Sequence, residues 1–244
     1  MRHAVVHPSQ RPAWAFALSR GLGRGLVLGL RFWLALLVRQ LIVLLVRIMT
    51  GVHAVGQPLS GHLSGPCVYF ANHTSLCDFL LIWTVVPASQ RRWVRPVAAA
   101  DYWQASALRR FLAHDVFRAV LISRADACST EPRVGAASDA LACMSESLKR
   151  GESLIFFPEG TRNTTAGCLL PFKAGLYHLA CEHPEVSLVP IWLNNVRHVM
   201  PKGHCLPVPM MCTVHVGAAL PGLYAERIDV FIDRAQKAVL ALKC

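Results

Sequence analysis

The sequence predicts an α/β fold, with a largely parallel central sheet flanked by helices and preceded by N-terminal membrane-associated helices. Three observations predict it. From about residue 52 short β-rich runs alternate with helical stretches, the pattern of repeated strand–helix–strand units. Ahead of them, residues 26–49 read LVLGLRFWLALLVRQLIVLLVRIM, apolar but interrupted by Arg31, Arg39 and Arg47. The length, 244 residues, suits one compact domain with an appendage. The division falls at residue 50, with 1–50 a membrane-associated amphipathic helical segment and 51–244 the α/β domain.

The first segment is long enough to span a bilayer, but its arginines leave uncharged runs of only 7 residues. An arginine near the bilayer centre costs about 2.5–3.5 kcal/mol even on the lenient insertion scale. Arg20, Arg24 and Arg31 share a narrow helical sector, from which Arg39 and Arg47 drift. One or two basic amphipathic helices lying among headgroups, with arginines reaching up to phosphates, fit this pattern. A single span is the fallback, and a buried helix pair the bland alternative. The arginines inside the apolar run, with no clear small-residue cleavage site after it, speak against a signal peptide.

Composition agrees with a membrane surface. The chain is 54% hydrophobic and only 16% charged, against about 25% in ordinary soluble domains, and carries a net charge of +11. A basic balance suits nucleic acid, anionic lipid or a phosphorylated substrate. Aromatic stacking platforms interleaved with basic residues are absent, which disfavours nucleic acid. Nine scattered cysteines without a C-x-x-C indicate reduced thiols and a cytosol-facing chain, and no spacing suggests a metal.

Strands are expected at 67–71, 93–98, 117–122, 153–157, 186–192 and 211–217. Helices are expected at about 76–86, 101–113, 131–150, 172–183 and 224–242, with Gly151 a stop signal after Arg150. In parallel sheets, sites gather where strands end in loops at the carboxyl edge.

Two such loops carry chemistry. In YFANHTSLCDFLLIW (69–83), His73 and Asp78 follow the first of these strands. Five residues turn a helix through about 140°, so the pair converges only if His73 lies in the loop and the helix begins near Ser75. SLCD fits a capping box with Asp78 in the first turn. Asp78 then either simply caps, or it orients the imidazole so that the other ring nitrogen serves as a general base. There is no G-x-S-x-G elbow for a serine nucleophile, and Cys77 would point away from His73.

The second loop lies in LIFFPEGTRN (154–163). Pro158 and Gly160 shape a turn that allows close approach to a ligand. Arg162 offers a fork to phosphate and Glu159 an acceptor for a hydroxyl, or else the two form an ordinary surface ion pair. Arg124, after VLIS, could reach the same crevice. Pro190 within LVPIW suggests an edge strand or a break.

These stretches together resemble the PlsC-type glycerolipid acyltransferases, the lysophosphatidate acyltransferase family. Asn72, His73 and Asp78 match its N-H-x4-D block, and Phe157 to Arg162 match its F-P-E-G-T-R block in full. AVLISR, ending in Arg124, resembles the intermediate block, Val189–Ile191 the V-P-hydrophobic block, and Phe172, Lys173 and Gly175 the PFKAG that follows. All stand in family order between about residues 50 and 217. The resemblance implies His73 as general base and Asp78 as its orienting partner, with no covalent acyl-enzyme. It implies that Glu159, Gly160, Thr161 and Arg162 bind substrate, with Arg124 assisting. Oxyanion donors are sought among backbone N–H groups near 73–76 or 159–161. Two positions depart from the family: Ala99 stands where many relatives carry a phosphate-associated lysine, and Asn163 where serine is usual.

The resulting expectation is an O-acyltransferase on the cytoplasmic face of the inner (plasma) membrane. It would move an acyl group from acyl-CoA or acyl-carrier protein to a lysophospholipid. The preferred acceptor is 1-acylglycerol 3-phosphate, giving phosphatidate, and a lyso-ornithine lipid or other lysolipid is the alternative. No cofactor, metal or nucleic acid is expected. A non-catalytic basic membrane binder and a serine or cysteine lipase are the competing classes.

Overall fold

The computed structural model describes residues 13–59, 65–123, 136–163, 169–195, 209–222 and 226–243, with side chains of the first helix from Val27 onward. Arg124 and the expected helix start at 131–135 lie outside these residues.

Seven strands form one sheet: β1 (His53–Gly56), β2 (Cys67–Ala71), β3 (Val94–Ala99), β4 (Val120–Ile122), β5 (Ser153–Phe156), β6 (Ser187–Asn194) and β7 (Thr213–Val216). Their order is β1-β7-β6-β2-β5-β3-β4. Every pairing is parallel except β6 with β7. The expected mostly parallel α/β sheet is therefore the fold. β1 is an addition to the expected strands; its four residues carry no buried alternation to signal it. Pro190 marks no edge, because β6 lies between β2 and β7. The Pro190 carbonyl accepts from Gly217 N–H, just past the end of β7, so the face where proline lacks a donor is where the β7 ladder stops.

The strands alternate between two apolar layers, as period-2 geometry requires. Tyr69, Ala71, Ile155, Val189 and Ile191 face one layer, and Val68, Phe70, Leu154, Phe156 and Leu188 the other. The first layer is covered by α1 (Ala13–Thr50) and α2 (Asp78–Val85), the second by α5 (Ala136–Lys149), α6 (Gly175–Glu182) and α7 (Ile228–Leu240). α5 ends through Gly151, whose φ of +76° lets the N–H groups of Gly151 and Glu152 reach the carbonyls of Leu148 and Ser147. Between β3 and β4 the expected single helix is broken into α3 (Ala100–Trp103), α4 (Ala107–Phe111) and one π-helical turn, Leu112–Val116.

α1 runs unbroken, and its stretch Val27–Thr50 is long and apolar enough to cross a membrane. One stripe, Ala35, Val38, Ile42, Val43 and Val46, packs on the domain. The opposite side exposes Leu30, Leu34, Leu37, Leu41, Leu44 and Ile48, more contiguous apolar surface than a water-facing helix carries. The arginines do not behave as expected. Arg31 pairs with Asp115 at 2.6 Å, and Arg39 donates from Nε and Nη2 to the Val116 carbonyl at 3.1 and 2.6 Å. The Arg39 guanidinium also lies over the Trp83 ring at 5.6 Å, while Arg91 lies over the same ring at 5.2 Å. Arg31 and Arg39 are therefore turned to the protein, and they dock the helix on the π-turn instead of on lipid phosphate. For Arg39 desolvation makes that choice: a half-buried guanidinium beside an apolar stripe needs a fixed acceptor, and the Val116 carbonyl provides it, while Asp115 draws the exposed Arg31.

Candidate active site

β2 and β5 are spatial neighbours but send their following helices to opposite faces of the sheet, α2 to one layer and α6 to the other. A crevice opens at such a switch point, at the carboxyl ends of the strands. His73 stands two residues past β2 and Glu159 three past β5, so both loops lie at the carboxyl ends of neighbouring strands.

The loop after β2 is fixed first by Asn72. Its side-chain amide donates to the Leu193 carbonyl at 3.1 Å and accepts the Leu193 N–H at 2.7 Å, both buried. That pair extends the β2–β6 ladder by one rung after the backbone has turned away. His73 follows. Its Nδ1 lies 2.8 Å from Asp78 Oδ2, and the same oxygen accepts the N–H groups of Thr74 at 2.6 Å and Ser75 at 2.8 Å. The expected capping box is thus half made. Asp78 reaches back to the Ser75 N–H, whereas Ser75 Oγ takes the Cys77 N–H and regular helix begins only at Asp78. The capping and orienting alternatives are one arrangement, since a single carboxylate does both.

Asp78 is fully buried, and the His73 side chain retains 16% exposure. A carboxylate can only accept, so the Nδ1 facing it carries the proton. Nε2 is left with its lone pair outward and no hydrogen-bond partner among the described residues.

The second loop grips the first. The ring of Phe157 stacks on the imidazole with centroids 4.3 Å apart and 19° between planes. Glu159 Oε1 accepts the His73 N–H at 2.7 Å, and Asn163 N–H donates to the His73 carbonyl at 2.7 Å. Glu159 Oε2 accepts the Leu170 N–H at 3.0 Å. Burial pushes the Glu159 carboxyl up, and these two backbone donors counter that in part. Expected to face a substrate hydroxyl, Glu159 instead is 2% exposed with both oxygens engaged inside the protein. Gly160, at φ +69°, turns the chain outward, so that Thr161 and Arg162 are exposed on the rim. Arg124 is not among the described residues. The N–H groups of His73, Thr74, Ser75 and Gly160 are already bonded within the protein, which removes most of the backbone donors expected for an oxyanion.

Cys77 beside this site is poorly suited to act as a nucleophile. Burial and the neighbouring Asp78 carboxylate push its thiol up to about 11. Among the described residues no group of His, Cys, Asp and Glu side chains could hold a metal ion.

A histidine aimed by a buried aspartate and clasped by an F-P-E-G-T-R turn is the geometry on which comparison with known proteins bears. The sequence profile of the family described as Acyltransferase matches residues 49–194. The chain belongs to the Acyltransferase family. Among curated relatives, human 1-acyl-sn-glycerol-3-phosphate acyltransferase alpha is 33% identical over 187 residues, covering 73% of this chain and 59% of that protein. The Brassica napus chloroplastic 1-acyl-sn-glycerol-3-phosphate acyltransferase BAT2 is 34% identical over 146 residues, 57% of this chain and 36% of that one. This chain therefore spans less than two thirds of the length of these relatives. The crystal structure of the 1-acyl-sn-glycerophosphate (LPA) acyltransferase PlsC from Thermotoga maritima superposes with a TM-score of 0.59 at 20% identity. It covers 91% of this chain and 89% of that one, a shared fold.

The Acyltransferase region contains both loops and ends at Asn194, the last residue of β6. Asn72, Phe157 and Asn163 received no role from the sequence, yet each holds the histidine loop. The signal for them was position alone: Asn72 and Phe157 are members of the two matched blocks, and Asn163 directly follows the second.

Proposed function

We propose that this acyltransferase moves a fatty acyl group from acyl-CoA or acyl-carrier protein to the free hydroxyl of a lysophospholipid at the membrane surface. Its preferred acceptor is 1-acylglycerol 3-phosphate, and its product phosphatidate. The observation that carries this reading is the partly exposed His73 ring, whose Nε2 has no hydrogen-bond partner among the described residues while Nδ1 faces buried Asp78.

In this reading His73 Nε2 takes the proton as the acceptor oxygen attacks the thioester carbonyl carbon. The tetrahedral intermediate collapses with cleavage of the C–S bond, and the imidazolium returns its proton to the leaving thiolate. Ester and free thiol are formed, and no acyl-enzyme intervenes. A thioester is already activated, so holding two reactants against one base supplies most of what is needed. Asp78 stabilises the transient imidazolium, and Arg162 on the rim receives the acceptor's phosphate. Glu159 acts through the loop: it is a positioning residue for His73, and Gly160 and Thr161 form the turn that carries Arg162.

The acceptor assignment draws support from the named relatives and from the net charge of +11, which suits anionic lipid. The apolar outer face of α1 would hold the chain on the bilayer where such an acceptor resides, with the α/β domain at the cytoplasmic surface. Purified full-length protein, given a labelled acyl thioester and a panel of lysolipids, tests this. Transfer is expected to favour 1-acylglycerol 3-phosphate over phosphate-free acceptors and lyso-ornithine lipid. Equal or better use of a phosphate-free acceptor would overturn the assignment.

A further inference from the structure

We propose that Lys173 and Arg162 form a two-cation corner above the Gly160 turn, and that this corner takes the phosphomonoester of the acceptor. The proposal rests on the acyl-transfer reading above and adds a residue that sets its specificity. Lys173 lies across the turn. A Cβ placed on Gly160 would fall 2.8 Å from Lys173 Cε and 2.9 Å from both Cδ and Nζ. The absence of a side chain at position 160 therefore gives the lysine its path, in addition to permitting the left-handed backbone.

The lysine is held there from below. Its own N–H donates to the Pro158 carbonyl at 2.8 Å, and the preceding Phe172 is buried edge-on against Phe70 of β2 at 6.4 Å. The backbone of Lys173 is thereby fixed beside the turn whose Glu159 holds the backbone of His73. Among the described residues no acid pairs with the Lys173 ammonium. Glu159, the carboxylate of the turn, is buried with both oxygens on backbone N–H groups. Neither Lys173 nor Arg162 forms an ion pair among the described residues, and both are exposed. At the neighbouring strand end, β3 finishes in Ala99 and contributes no cation. A phosphomonoester carries about −1.5 to −2 charge at neutral pH, which one arginine does not neutralise. Lys173 supplies the second charge as a mobile point donor beside the planar fork of Arg162.

Phosphate could also arrive on the donor, in CoA, so the test separates the two sources. Full-length Lys173→Gln and Lys173→Met are compared with wild type for KM and kcat. The substrates are 1-acylglycerol 3-phosphate against 1-monoacylglycerol as acceptor, and acyl-CoA against acyl-pantetheine as donor. The expected result is a rise of tenfold or more in KM for the phosphate-bearing acceptor, with kcat, the KM for monoacylglycerol and the KM for acyl-CoA little changed. Lys173→Arg recovers most of the loss, and the melting temperature of each variant reports its folding. An unchanged KM for the phosphate-bearing acceptor overturns the proposal, as does a rise confined to acyl-CoA. Failure of the wild type to acylate any lysolipid would instead remove the acyl-transfer reading on which the corner depends.

Discussion

Glu159 Oε1 accepts the backbone N–H of His73 at 2.7 Å, so the carboxylate of one motif holds the main chain of the other. Its second oxygen holds Leu170 at 3.0 Å, which closes the loop behind the turn. A glutamine here keeps one acceptor oxygen and turns an NH2 toward the other backbone donor. Leaving a buried donor unmet costs about 1–3 kcal/mol. Glu159→Gln is therefore predicted to lower kcat about a hundredfold by displacing His73, with little change in acceptor KM. Steady-state kinetics over a range of acceptor concentrations check this, and a pure KM effect would return Glu159 to substrate binding.

Arg39 is predicted to act in docking α1, because both its donors meet the Val116 carbonyl and its face lies on Trp83. Arg39→Ala removes a charge-assisted pair worth about 1.5–3 kcal/mol. The melting temperature in detergent should fall by several degrees. Flotation with anionic vesicles should persist, since the exposed leucines of α1 are untouched. Loss of flotation with unchanged melting would mean that Arg39 faces lipid.

Cys77 adjoins Asp78 in sequence, yet its thiol is pushed up to about 11 by burial and by Asp78. Almost no thiolate exists there at neutral pH. Cys77→Ala is predicted to retain activity within a few-fold. Mass spectrometry of an acid-quenched reaction should find no acylated protein.

At the other end of the sheet, Glu152 meets buried Arg95 at 2.7 Å and Arg150 at 3.3 Å. Burial alone would raise its carboxyl, but the hydrogen bonds and charges of these arginines hold it below the ordinary value of 4.5. A depressed folded-state value contributes stability that is complete above 4.5 and is lost as pH falls through the lowered folded value. Glu152→Gln, which strands Arg95, should destabilise the protein by about 3–5 kcal/mol at neutral pH. The gap from wild type should narrow in strongly acid solution. Urea midpoints at the two pH values give the comparison.

Local patterns made much of the fold legible. Cys67–Ala71 is read from sequence to the residue, because an all-apolar run bounded by Gly65–Pro66 and Asn72 has one reading in a parallel sheet. β1 was not legible, since its four residues gain strand character only by pairing with β7, some 160 residues away. Nor was the π-turn at Leu112–Val116, whose shape answers to Arg31 and Arg39 on a distant helix. At the site, the His73–Asp78 contact follows from spacing, capping and family resemblance together. The inward turn of Glu159 does not, because its partners are backbone N–H groups that no sequence pattern displays. For the same reason, of the oxyanion donors expected near 73–76, those of His73, Thr74 and Ser75 are engaged elsewhere: Glu159 and Asp78 take them.

In the proposed reaction His73 serves as the base for direct transfer of an acyl group to a lysolipid hydroxyl. Its most direct test is the rate of labelled phosphatidate formation from acyl thioester and 1-acylglycerol 3-phosphate, in lipid–detergent micelles, by full-length wild type and His73→Ala. Product is expected from the wild type, with a fall on the order of 10²–10⁴-fold in kcat for His73→Ala and with melting and vesicle binding retained. Equal turnover by the two proteins, or no product from the wild type, would contradict it.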